Sequence, residues 1–161
     1  MKPILALAAV LSLAAAPALA QNASQIATAR RGASCAGCNL FQAELSHTVL
    51  KGKNFSRARL RQADLSLGTF NGSRFTGADL RDVDAYGALF ASADFSGANL
   101  TNASFVGTYL QGANFAGANL SGTNFSGAEM DRARGLTQAR LDKACGDEST
   151  RLPRGLRIRY C

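Results

Sequence analysis

From Leu40 to Met130 every fifth residue is apolar, and the run is almost wholly Leu and Phe. Two residues ahead of each sits a mostly small side chain, from Cys38 and Ala43 through Ala78 and Ala88 to Ala128. A helix repeats its apolar stripe about every 3.6 residues, and a strand alternates its faces. A five-residue beat fits neither. It requires the chain to turn a corner every five residues, the signature of a solenoid.

A second beat of twenty residues is nested in the first. Leu40, Leu60, Leu80, Leu100 and Leu120 form one column, and Phe55, Phe75, Phe95 and Phe115 another. The remaining columns are mixed: Leu45, Leu65, Ala85, Phe105, Phe125, and Leu50, Phe70, Phe90, Leu110, Met130. Sorting Leu from Phe at that distance predicts four faces per coil, with like side chains stacked above one another. The run amounts to just under five coils, so at ~4.8 Å per coil the rod is roughly 24 Å long. Ala85 is undersized for a centre, but its partner Val83 is oversized, which nearly conserves volume in a close-packed interior. Lys53 falls on a small inward position, so its ammonium must snorkel outward and its repeat should be distorted.

The wording Ala78-Asp79-Leu80, Ala98-Asn99-Leu100-Thr101 and Ala118-Asn119-Leu120-Ser121-Gly122 resembles the pentapeptide repeat family. The resemblance implies an all-β fold, a right-handed quadrilateral β-helix with Gly, Ser and Asn at its corners. The handedness comes from the resemblance and not from the spacing. The expected organisation is a signal peptide over 1–20, a flexible or weakly helical segment over 21–34, the solenoid over 35–133, and a cap and tail over 134–161.

Lys2, the apolar stretch Ile4 to Ala16 and the small-x-small site Ala18-Leu19-Ala20 read as a cleaved secretory signal. This places the protein in the periplasm or outside the cell, with a Gram-negative bacterium as the expected source, and leaves the mature chain without a transmembrane segment. An oxidising compartment makes disulfides the default for Cys35, Cys38, Cys145 and Cys161. The first two precede the first coil and the last two follow the final one. A ~24 Å rod separates them too far for bridging unless a tail folds back along it, so of the three connectivities Cys35–Cys38 with Cys145–Cys161 is the preferred pairing. Closing the longer C-terminal loop is worth about 3 kcal/mol in the chain-entropy picture. Cys38 also fills the small inward slot of the first repeat. A redox Cys-x-x-Cys wants a helix N-terminus in a βαβ setting, which is not visible here. A zinc site lacks ligands, with only His47 nearby. Residues 136–146 read as a short capping helix with Thr137 as N-cap and Gly146 past its end. The tail from Cys145 through Leu152-Pro153 and Gly155-Leu156 to Cys161 resembles a cap carried by exported bacterial members of the family.

The formal net charge of +7 falls to about +6 without Lys2, and the charge is uneven. Lys51, Lys53, Arg57, Arg59 and Arg61 crowd the second coil with Arg81 stacked above Arg61, and Arg151, Arg154, Arg157 and Arg159 lie in the tail. Residues 95–128 carry no charge. Of these, Lys51, Arg57, Arg59, Arg61 and Arg81 are the candidate contacts for an anionic polymer or envelope surface. A solvated surface is the plainer reading. Asp79 stacks over Arg59 in the expected register, an exposed pair worth only a few tenths of a kcal/mol. No aromatics interleave with the arginines as single-strand recognition requires, so no specific nucleic acid is expected. The resemblance also raises DNA mimicry, a role of some family members, but mimicry needs an acidic rod.

The register turns Leu67, Tyr86, Leu89, Val106 and Tyr109 outward, where polar residues belong. They converge beside one corner and make the candidate partner contact, unless an end of the chain covers them. The only histidine, His47, lies near Glu44 with no nucleophile in reach. Asp64 and Asp84 share an outward column, but a convex wall offers no cleft to desolvate them. No catalytic residue, metal ligand or cofactor site is expected. The reading is an exported, non-enzymatic structural or protein-interaction module that contacts a protein or envelope component.

Overall fold

A computed structural model describes residues 22–161; the expected signal segment, residues 1–20, lies outside them. Backbone pairing follows the twenty-residue beat. Parallel bridges join Asn39 to Arg59, Arg59 to Asp79, Asp79 to Asn99 and Asn99 to Asn119, and three further series do the same. The second face carries Glu44, Asp64, Asp84, Ser104 and Asn124, the third Val49, Thr69, Leu89, Tyr109 and Glu129, and the fourth Asn54, Arg74, Asp94, Asn114 and Arg134. Leu40 N donates to Arg59 O and Arg59 N to Cys38 O, both at 2.8 Å, so each face is a narrow parallel sheet running along the rod.

All the expected centres are buried, from Leu40 to Met130. The Phe column stacks face to face: centroids of Phe55 and Phe75 lie 5.3 Å apart, Phe75 and Phe95 5.2 Å, and Phe95 and Phe115 5.3 Å, with ring planes within 15°. Phe70 and Phe90 stack at 5.1 Å and meet that column edge-on, as Phe70 does with Phe75 at 6.0 Å. Alternating stacked and edge-on pairs let the ring quadrupoles attract in both directions. Gly68 makes this possible on the third face, because a Cβ there would lie 2.4 Å from Phe70 Cε2.

Most corners close with a hydrogen bond from the third residue onward to the centre's carbonyl, such as Ala63 N to Leu60 O at 2.9 Å; at Thr48 the side-chain hydroxyl donates to Leu45 O instead. The second corner residue takes a positive φ, 65° at Gly107 and 57° at Asn102, as a turn of this handedness requires. Where an Asp or Asn precedes the centre it caps the corner: Asp64 Oδ1 accepts from Ser66 N at 2.8 Å and Asn99 Oδ1 from Thr101 N at 3.1 Å. That contact is why the repeat spells Ala-Asp/Asn-Leu. At Lys53 the corner departs from this scheme. Its amide donates to Ser73 Oγ at 3.0 Å, and that hydroxyl donates to Leu50 O at 2.6 Å, so buried Ser73 bridges the turn while Phe55 stays buried.

Cys35 does not precede the first coil as expected from the sequence, but belongs to it. It occupies a centre position, buried, with its amide donating to Asn54 O at 2.8 Å and Gly37 N donating to Ser56 O at 2.9 Å. Cys38 fills the next small slot, so their disulfide (Cα–Cα 5.3 Å) staples the first corner from inside. Ahead of it, residues expected to be flexible or weakly helical hold helix α1, Ala23–Arg30, with Asn22 Oδ1 accepting from Gln25 N at 3.1 Å. Ala29 is buried and Ile26 packs on the core, while Gln25 Oε1 accepts from Asn39 N at 2.6 Å.

At the other end the register breaks at Gly135, whose φ of +73° and approach to Ala116 (2.4 Å from an added Cβ to its N) admit no side chain. The helix expected over 136–146 is shorter: α2 spans Gln138–Leu141, and Thr137 precedes it without a side-chain cap bond. Leu141 and Ala144 are buried against the last repeats. Strand β1, Cys145–Gly146, continues the second face above Asn124, and β2, Arg159–Tyr160, pairs parallel above β1. The Cys145–Cys161 disulfide (Cα–Cα 4.8 Å) locks that returning strand. Both pairings match the sequence expectation.

Candidate protein-docking face

The third face and the corner before it carry the outward apolar residues. Leu89 and Tyr109 sit in the third-face ladder, and Leu67, Tyr86 and Val106 occupy successive levels of the corner. Neither α1 nor the tail covers them: Tyr86 is 54 % exposed, Leu67 50 %, Leu89 41 % and Tyr109 39 %, with Val106 half-buried. Sequence reasoning missed Val49, 68 % exposed at the foot of the same ladder, although its column marked it. It also missed Tyr160, exposed on β2, whose place depends on the fold of the tail.

Leu67 is the informative member. Its φ is +55°, a conformation that costs an L-residue with a Cβ about 1–2 kcal/mol. Among the described non-glycine residues held this way, the others are Gln42, His47, Arg57, Gln62, Asp82, Ser92 and Asn102, all polar. Its side chain leans toward the next level, where Cδ2 lies 2.9 Å from the position of a Cβ at Gly87. A glycine beside Tyr86 therefore makes room for the Leu67 methyls.

The basic residues grouped by sequence are dispersed by the register. Arg61 and Arg81 occupy the corner between the first and second faces, Arg59 the first face, and Arg57 the corner between the fourth and first. Lys51 lies on the corner diagonally opposite Arg61. Asp79 does not pair with Arg59 as its column suggested. Arg81 Nε and Nη2 donate to it at 2.7 and 2.6 Å, and those bonds hold the carboxyl below its ordinary pKa despite partial burial. Arg61 pairs with Asp82 at 3.3 Å.

His47 is exposed on a corner, near the foot of the apolar strip. Asp64 and Asp84 are neighbours in the second-face ladder, but each caps a corner, accepting from Ser66 N at 2.8 Å and Tyr86 N at 2.9 Å. Burial pushes the Asp64 carboxyl up, yet hydrogen bonds from Ser66 and Ser46 outweigh it and lower the pKa. Both carboxylates are explained by the turns they close. No cluster of potential metal ligands occurs among the described residues. Surface concavities are open grooves, one of about 360 Å³ beside Asp147, Tyr160 and Cys161 and one of about 520 Å³ beside Arg57 and Arg74. No described helix is long and apolar enough to cross a membrane.

The profile of pentapeptide repeats matches in eight copies, over residues 38–77, 70–105, 78–115 and 103–145. Similar solved structures include a pentapeptide repeat protein of the Arabidopsis thaliana thylakoid lumen, 27% identical, covering 58% of this chain and 57% of that one, TM-score 0.34. Another is HetL of Nostoc sp. strain PCC 7120, involved in heterocyst differentiation regulation, at 25% identity, 79% and 54% coverage and TM-score 0.48. QnrB1, a plasmid-mediated fluoroquinolone resistance protein, is 21% identical over 76% of this chain and 77% of its own, TM-score 0.35. The chain spans little more than half the length of the first two. Among curated proteins none matches. With its repeats matched from the first coil into the cap, the chain belongs to the pentapeptide repeat family and adopts that family's right-handed β-helix.

Proposed function

We propose that the mature chain is an exported, non-enzymatic interaction module that binds a protein partner on its third face and the adjoining corner. In this reading the signal is cleaved after Ala20, and the protein works in the periplasm or outside the cell of a Gram-negative bacterium. Two disulfides fit such an oxidising compartment. The rod counts five coils once Cys35 joins the register, and α2 helps close its C-terminal end.

The observation that carries the reading is Leu67. A chain that tolerates Gly or Asn at its corners retains an exposed aliphatic residue there at a backbone cost. Strain at an exposed apolar position points to a role beyond the side chain's contact over Gly87. Leu67, Tyr86, Leu89, Val106 and Tyr109 then supply an apolar and aromatic strip on a stiff wall, the composition from which interface cores are built. The test is crosslinking capture from the periplasm with the wild type and a Tyr86→Ser/Tyr109→Ser double variant. A partner recovered by the wild type and lost by the variant, at unchanged stability, supports docking. A stability loss with unchanged partners overturns it.

A further inference from the structure

Arg57 leaves the group in which the sequence placed it and joins Arg74. Arg57 stands on the corner between the fourth and first faces, and Arg74 stands on the fourth face one level above. Both line the groove of about 520 Å³ whose other walls are Ala36, Gly37, Ser56 and Thr76. The small side of that groove is set by the first stapled corner, since Ala36 and Gly37 lie between Cys35 and Cys38. The Arg57 stem lies against Gly77, with Cγ 3.7 Å from where a Cβ would stand.

Neither charge here is held in an ion pair. The ion pairs among the described residues are Arg61–Asp82 and Arg81–Asp79, and neither guanidinium of the groove has an acidic partner within 4.0 Å. The carboxylate beside them, Asp94, is engaged elsewhere. It accepts from Ser96 N at 3.0 Å, Thr76 Oγ1 at 3.0 Å and Asn114 Nδ2 at 3.0 Å, and these bonds outweigh burial and keep its pKa low. Thr76 thus spends its proton on Asp94. The Ser56 hydroxyl has no hydrogen-bond partner among the described residues, while its amide donates to Asn54 Oδ1. Two arginines and one serine therefore line a common open groove.

We propose that this groove binds a phosphate group, held by Arg57, Arg74 and Ser56. Two guanidiniums free of ion pairs match a dianionic tetrahedral group better than a single carboxylate, which one planar fork satisfies. The site lies on the corner diagonally opposite the apolar strip, so it stands independently of the docking reading. The phosphate has two sources, free phosphate and the headgroup of an anionic lipid, and the chemistry of recognition is the same for both.

The experiment uses the mature chain, labelled with ¹⁵N, and follows arginine Nε–Hε resonances as inorganic phosphate is added. Two double variants are compared, Arg57→Gln/Arg74→Gln and Arg132→Gln/Lys143→Gln, the latter removing equal charge at two exposed positions outside the groove, with circular dichroism to verify the fold. The expected result is a saturable shift at Arg57 and Arg74 but not Arg61. The groove variant should bind about tenfold more weakly, and the control should stay within about twofold of wild type. Absence of a saturable shift overturns the proposal, and so does equal weakening in both variants, which would mean diffuse charge attraction. Cosedimentation with vesicles containing phosphatidic acid then assigns the source. Vesicle binding lost in the groove variant alone points to the lipid phosphate, and no vesicle binding beside intact phosphate binding points to the soluble anion.

Discussion

Val83 and Ala85 offer a quantitative test of the stacked interior. Both are buried on the second face on either side of Asp84, one level above Ala63 and Leu65 and one below Ala103 and Phe105. Val83 also stretches its corner: its amide lies 3.4 Å from Leu80 O, against 2.9 Å for Ala63 N and Leu60 O. Val83→Ala removes two fully buried methyls and leaves a void beside the undersized Ala85, a loss of about 2 kcal/mol. Ala85→Leu forces three carbons into a filled interior and costs about 1–3 kcal/mol. Together they recreate the Ala-Asp-Leu wording found one level below. The double variant should then lie within about 1 kcal/mol of wild type, a coupling of about 2 kcal/mol or more in the favourable direction. Urea unfolding followed by far-ultraviolet circular dichroism, with disulfides intact, measures all four corners of the cycle. Additivity within about 0.5 kcal/mol would refute the claim that the two positions share one volume.

Gly68→Ala should lower stability by about 1–3 kcal/mol in the same assay, because the new Cβ meets the Phe70 ring at 2.4 Å. Replacing Cys145 and Cys161 by Ala should cost about 3 kcal/mol, and replacing Cys35 and Cys38 about 2 kcal/mol, since the shorter loop restricts the unfolded chain less. Thiol titration of the untreated protein should find no free cysteine. Asp147 is held down to about 2 by hydrogen bonds from Ser149, Gly127 N and Thr150. Its lowered pKa means that its contribution to the cap is complete above its ordinary 3.8 and is lost as pH falls through about 2. The Gly127 amide resonance should therefore titrate near 2, with Asp147→Asn abolishing the step and a midpoint near 4 contradicting it. Leu67→Asn should leave stability within about 1 kcal/mol, relief of strain offsetting lost contact over Gly87, while partner capture falls.

Much of this molecule follows from two periods. The five-residue beat assigns each inward centre, and the twenty-residue beat assigns the faces and so turns Tyr86 and Leu89 outward. Three misreadings have physical causes. Cys35 lacks the bulk of Leu or Phe and so escaped the register, yet a disulfide sulfur fills an inward slot as an apolar atom does. Lys51 and Arg57 are close in sequence, but the corners between them send their side chains to different sides of the rod. At the C-terminal end Thr137 and Gly146 mark out a longer helix than forms, because Thr137 makes no side-chain cap bond and the chain pairs as strand from Cys145. Beyond Gly135 the pairing offset changes, from Asn114↔Arg134 to Asn124↔Cys145 and Glu129↔Arg151, so no fixed spacing predicts the neighbours. The α1 segment has no periodicity to announce it; its burial of Ala29 comes from the open end of the solenoid.

The central claim is that the apolar strip meets another protein. A photo-crosslinking residue at position 86, compared in living cells with one at position 99 on the first face, tests it directly. The account predicts a discrete intermolecular adduct from position 86 alone, lost when Tyr109 is changed to Ser. An intramolecular adduct to residues 22–34 or 147–161, or equal adducts from both positions, would contradict it.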